Sequence, residues 1–90
     1  MQTPYESFID RVHYQTSMGD YLSDSKINDF GDLVCKHYRS GGTSQELVTI
    51  LYNSGVDNDL PRSTMEDFAA VAGIAVAELC PEFLSMLSQA

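Results

Sequence analysis

A chain of 90 residues with 13 acids against five bases, formal net charge -8, has room for one domain, residues 1–90, built on one small core. Its 43% hydrophobic and 20% charged residues mark a folding sequence and not a disordered one. The acidic balance argues against duplex DNA, RNA and anionic membrane surfaces, each of which is met by a basic patch, and admits a basic protein partner.

The pattern predicts helices throughout. Tyr5, Phe8, Ile9 and Val12 fall at i, i+3, i+4 and i+7, one face of a helix over about 4–16 that begins at Pro4 with Glu6 near its positive end. "SMGDYLSDS" breaks that pattern, and Tyr21 and Leu22 are expected to pin the connection onto the core. A second helix over about 25–40 carries Ile27, Phe30, Gly31, Val34, Cys35 and Tyr38 inward. It stops at Gly41 and Gly42, with Lys36 and Arg39 in its last turn.

Thr43 and Glu46 in "TSQE" form a capping box for a third helix over about 44–54, with Leu47, Val48, Ile50 and Leu51 as its apolar residues and Gly55 as its stop. Ser63 and Glu66 in "STME" suggest a second capping box and a fourth helix over about 64–80. That helix is apolar on every side from Phe68 to Ala77, so it is expected to be central, with alanines and Gly73 letting neighbours approach. Pro81 ends it at Cys80, and "PEFLSML" forms a short tail helix over about 81–88. No strand-like alternation occurs. The expected fold is all-α, a small bundle of four helices plus a short C-terminal helix. No apolar run approaches the roughly 18 residues that cross a bilayer, and "MQTPYESFID" has no leader-like pattern.

Cys35 and Cys80 are the only cysteines. A zinc site needs about four ligands with close cysteine pairs, and neither is in view. A redox site calls for C-x-x-C or a thiol beside positive charge, whereas Glu78 and Glu82 flank Cys80. A disulfide and two buried free thiols remain as equal alternatives on the residues themselves.

The arrangement resembles a family of short exported helical proteins of actinobacteria, mycobacteria above all, grouped as a domain of unknown function (number seven hundred and thirty-two). The resemblance runs from about Phe8 to Phe83 and rests on "FIDRV", on Gly31 four residues before Cys35 in "GDLVC", on "GGTS", and on the alanine-rich helix ending in Cys-Pro in "FAAVAGIAVAELCPEF". It implies a disulfide between Cys35 and Cys80 that joins helices two and four, and it brings no catalytic residues. Family members begin with a signal peptide, which is absent here, and "SMGDYLSD" departs from the usual form of that region. The resemblance therefore implies either a secreted or cell-envelope domain whose leader has been removed, or a bacteriophage-encoded member that acts in the host cytoplasm with Met1 as its start.

No catalytic constellation stands out. His13 and His37 are expected at helix surfaces, "DNDLPRSTME" lacks the glycine and glutamate of a calcium loop, and "SGGTS" lacks the lysine of a phosphate-binding loop. No enzyme activity, cofactor or metal is expected. The apolar residues to spare are Tyr5, Tyr14, Tyr52, Met86 and Leu87, which are expected to offer an acidic, tyrosine-bearing surface to another protein, a host protein if the chain is phage-encoded. The alternative is a small-ligand or lipid carrier with an apolar cavity beside the central helix.

Overall fold

The computed structural model describes residues 3–57 and 59–87, and the side chains of these apart from residues 64, 65, 86 and 87. The described residues are helical, with no strand among them. In chain order the elements are α1 (Pro4–Gln15), a 3-10 turn (Met18–Asp20), α2 (Asp24–Arg39), α3 (Ser44–Asp57), the one-turn α4 (Arg62–Met65), α5 (Phe68–Leu79), a second 3-10 turn (Pro81–Phe83) and the one-turn α6 (Leu84–Leu87).

Capping chemistry sets most of these boundaries. Thr3 and Glu6 form a capping box on α1, the Glu6 amide donating to Thr3 Oγ1 at 3.2 Å, with Pro4 in the first turn where its missing N–H costs nothing. Ser23 accepts from the Lys26 amide and caps α2. The Thr43 and Glu46 box opens α3 as expected, the Glu46 amide reaching Thr43 Oγ1 at 3.2 Å and the Thr43 amide reaching Glu46 Oε1 at 3.3 Å.

α2 ends in a Schellman motif. The Gly42 amide bonds the His37 carbonyl and the Gly41 amide the Tyr38 carbonyl, with Gly41 at φ 85, a left-handed conformation that glycine adopts without steric cost. α3 ends the same way. The Leu60 amide reaches the Gly55 carbonyl, the Asp59 amide reaches the Val56 carbonyl, and Asp59 holds φ 55.

Several expectations are corrected. Gly55 does not stop α3. It is buried inside the helix, and the stop falls at Asp59. Ser63 is not an N-cap but lies inside α4, and Glu66 donates its amide to the Arg62 carbonyl. The expected helix over 64–80 is thus two helices divided at Glu66 and Asp67. Asp67 stands at the start of α5 without capping it. Its Oδ2 accepts from the amide and the hydroxyl of Ser17, both at 3.1 Å, so this carboxylate ties the first connection to α5. In that connection Met18 is fully buried and Leu22 nearly so, while Tyr21 is 54% exposed and pins nothing.

α5 is the helix against which α1, α2, α3 and the tail pack. Phe68, Val71, Ala72, Ile74, Ala75 and Val76 are its buried residues, among Phe8 and Val12 of α1, Ile27, Phe30 and Val34 of α2, and Leu47 and Leu51 of α3. The Phe30 and Phe68 rings meet at 5.7 Å. Gly31 lets α1 and α5 close on α2, since a Cβ there would come within 2.7 Å of Phe8 Cε2 and 2.8 Å of Leu79 Cδ1. Outside the core, Arg11 on α1 donates to Glu78 on α5 at 3.0 Å.

Cys35 and Cys80 form a disulfide across a sequence separation of 45, with Cα atoms 6.0 Å apart. The bridge does not join two helices, because Cys80 lies just past α5 with φ -148 at the start of the 3-10 turn. Pro81 is the reason, since it disfavours helical backbone in the residue before it. Cys80 is fully buried and Cys35 is 5% exposed.

Candidate functional site

α3 has more apolar residues than one buried face can hold. Leu47, Leu51 and Gly55 recur every four residues and turn inward. Val48, Tyr52 and Val56, each one position on, form a second stripe that is 58%, 54% and 52% exposed. An amphipathic helix of a small domain normally carries polar side chains there.

Across from α3, α5 presents small residues. Ala69 is exposed and Gly73 half-buried, and a Cβ built on Gly73 would meet nothing within 4 Å. Small side chains on one helix and a spare apolar stripe on the other leave a groove of about 460 Å³ between them, lined by Leu47, Val48, Leu51 and Tyr52 of α3 and by Phe68, Ala69, Ala72 and Gly73 of α5. The polar side chains of the lining are Tyr38 at the end of α2, Ser44 and Tyr52 of α3, and Glu66 just before α5. Tyr38 and Ser44 share a hydrogen bond of 2.8 Å between their hydroxyls. Glu66 is exposed. Sites that take apolar ligands have this size and this sparse polar lining.

The groove is braced from behind. The Tyr38 ring stacks on Phe83 at 6.0 Å, and Arg39 lies 3.9 Å from Glu82. Both tail residues lie within three positions of Cys80, so the disulfide anchors the turn against which Tyr38 packs.

Of the five positions expected on a partner surface, the three tyrosines stand on different parts of the fold. Tyr52 lines the groove. Tyr14, 91% exposed, stands near the end of α1. Tyr5 lies over a shallow depression between α1 and α2 with Glu6, Ile9, Asp10, Asp24 and Asn28, and its hydroxyl donates to Asp32 Oδ1 at 2.7 Å. That bond, and then the Asp32 charge, raise the Tyr5 pKa above its ordinary 10.0. The side chains of Met86 and Leu87 lie outside the described residues. The carrier alternative expects an apolar cavity beside the central helix but not the exposed α3 stripe that lines this side of α5, although its signal is present as two four-residue apolar repeats, offset by one position, in "ELVTILYNSGV".

The histidines have structural partners. His37 Nε2 lies 2.7 Å from the Thr43 carbonyl oxygen, and a Cβ on Gly42 would collide with its ring. His13 Nε2 lies 2.7 Å from Asp24 Oδ1, its ring in space that a side chain at Gly19 would occupy. That pair contains an acid and a base, but the His13 and Asp24 side chains are 44% and 65% exposed and neither lines the apolar groove. Among the described residues no three histidine, cysteine, aspartate or glutamate side chains converge to hold a metal ion. No described helix is long and apolar enough to cross a membrane.

Comparison with protein-family models, with curated proteins and with solved structures finds no match to this chain.

Proposed function

We propose that the chain is a non-enzymatic protein-binding module and that the α3–α5 groove is its contact surface. The observation that carries this reading is the stripe of Val48, Tyr52 and Val56, more than half exposed on a helix whose other apolar stripe already fills the core. Contiguous apolar surface on a small protein marks interaction sites, and tyrosine is enriched where proteins meet. A helix-lined apolar groove is a form that peptide recognition uses repeatedly.

The family resemblance belongs to the same proposal. A disulfide-clasped helical domain suits the exported two-cysteine proteins it resembles, because such bridges persist in oxidising compartments. A phage-encoded member would turn the same groove on a host protein.

The second reading, a small-ligand carrier, is favoured by one observation, the groove volume of about 460 Å³. Two comparisons separate the readings. Native mass spectrometry of the protein from its source detects a co-purifying protein under the first reading and a small molecule under the second. With a protein partner in hand, Val48→Glu weakens its binding at least tenfold while Tyr14→Ser leaves it unchanged. Equal binding by both variants removes the groove as the contact surface.

A further inference from the structure

The groove carries a charge as well as a shape. Among the described residues that line it, Glu66 alone is formally charged, and no ion pair or side-chain hydrogen bond with another described residue engages its carboxylate. Three other acids near helix ends do have partners. Glu46 is held by Thr43, Asp67 by Ser17 and Glu82 faces Arg39. An apolar trough with one unpaired carboxylate at its rim, on a chain of net charge -8, attracts a cation and repels an anion.

We infer that the α3–α5 groove takes a short amphipathic helix of a partner protein, with two apolar side chains one turn apart in the trough and a lysine or arginine meeting Glu66. This rests on the groove being the contact surface and adds the partner's chemistry. The lining of α3 runs from Ser44 to Tyr52, about 12 Å at the helical rise, which matches two turns of a docked helix with anchors at i and i+4. The shallow floor formed by Ala69 and Gly73 admits branched or aromatic anchors. The same charge disfavours fatty acids and other anionic amphiphiles, whose apolar tails would suit the trough but whose heads would not.

The test is display selection of a randomised 16-residue peptide library on the intact, oxidised protein, followed by titration of the enriched peptides against three variants. Ala69→Arg blocks the trough at an exposed position, Gly73→Leu fills it without changing charge, and Glu66→Gln removes the rim charge. Circular dichroism confirms that each remains helical. The expected peptides are net positive with apolar residues at i and i+4. Their binding is lost at least tenfold to Gly73→Leu and to Ala69→Arg. Glu66→Gln weakens it roughly two- to fivefold, the range of an exposed ion pair, and the difference shrinks as salt is raised.

Enriched peptides that are neutral or acidic, or that ignore Glu66→Gln while still losing binding to Gly73→Leu, overturn the cationic partner and leave the groove as the contact surface. Peptides that bind Gly73→Leu as well as the parent overturn both. If no peptide is enriched, and dodecanol instead shifts the amide resonances of Val48, Tyr52 and Ala69, the helix occupant is wrong and the small-ligand reading replaces it. No enrichment without a dodecanol response overturns the groove itself.

Discussion

The fold alters the protonation of Tyr5 and of Glu78 in opposite senses. The neutral Tyr5 phenol donates to Asp32, so the folded protein holds that proton more tightly and the pKa rises above 10.0. The associated stability is complete below that ordinary value and is lost as pH climbs through the raised one. Nuclear magnetic resonance titration of the Tyr5 ring is expected to show a late ionisation step, and Asp32→Asn to lower it. Retention of the late step in that variant contradicts the hydrogen bond. Glu78 accepts a hydrogen bond from Arg11 at 3.0 Å. This bond first, then one involving Ser7, lowers its pKa below the ordinary 4.5. Its contribution is present above that ordinary value and disappears as pH falls through the lowered one. The melting temperature therefore drops on the acid side, and Glu78→Gln flattens that part of the profile.

Glycines of the same chain separate packing from function at the residue scale. Gly31→Ala brings a methyl against Phe8 and Leu79 at under 3 Å, and overpacking of this kind costs about 1–3 kcal/mol. Gly73→Ala meets no neighbour. In mid-helix it stabilises by about 0.5–1 kcal/mol, measured by urea unfolding, although it encroaches on the groove. A destabilised Gly73→Ala protein would mean that the space beside α5 is already filled.

Elements whose ends are written in local chemistry were legible in the sequence, while those decided by long-range partners were not. Pro4, the Thr43–Glu46 box, the Gly41–Gly42 stop and the break before Pro81 each rest on side chains within a turn of the boundary. The α4–α5 division was hidden because Asp67 is recruited by Ser17, fifty positions earlier in the chain, and Ser63–Glu66 imitates a cap that tertiary structure overrides. Gly55 misled for a similar reason, since its small size is used for burial inside α3 and the left-handed stop passes to Asp59. The part of α3 in the groove was not legible because two offset apolar stripes read as a single hydrophobic helix until α5 takes one of them. At the two Schellman stops, Gly41→Ala should destabilise by about 1–2 kcal/mol, the cost of a left-handed residue with a Cβ. Asp59→Gly should instead raise stability by up to about 1 kcal/mol. Matching signs in thermal unfolding would contradict the assignment of both stops.

For the whole molecule the disulfide is the largest single contribution that can be assigned. A closed loop with a separation of 45 restricts the unfolded chain by about 4 kcal/mol, a large share of the roughly 5–15 kcal/mol typical of a domain. The Cys35→Ala, Cys80→Ala double variant should keep its helical circular dichroism but unfold at a much lower urea midpoint. With Cys80 released, the turn that carries Phe83 against Tyr38 also loses its anchor, so the same variant should bind a groove partner more weakly. An unchanged midpoint would mean that the helix packing alone holds the fold. This coupling makes the oxidised protein the proper material for any binding experiment.

The central claim is that binding occurs in the α3–α5 groove. Site-specific photo-crosslinking in the source cells tests it most directly, with the photoreactive residue placed at Val48 in one protein and at Tyr14 in another. The account predicts a covalent adduct with one partner protein from position 48, abolished when Gly73→Leu fills the trough, and none from position 14. Adducts from position 14 alone, or adducts from position 48 that persist with the trough filled, would contradict it.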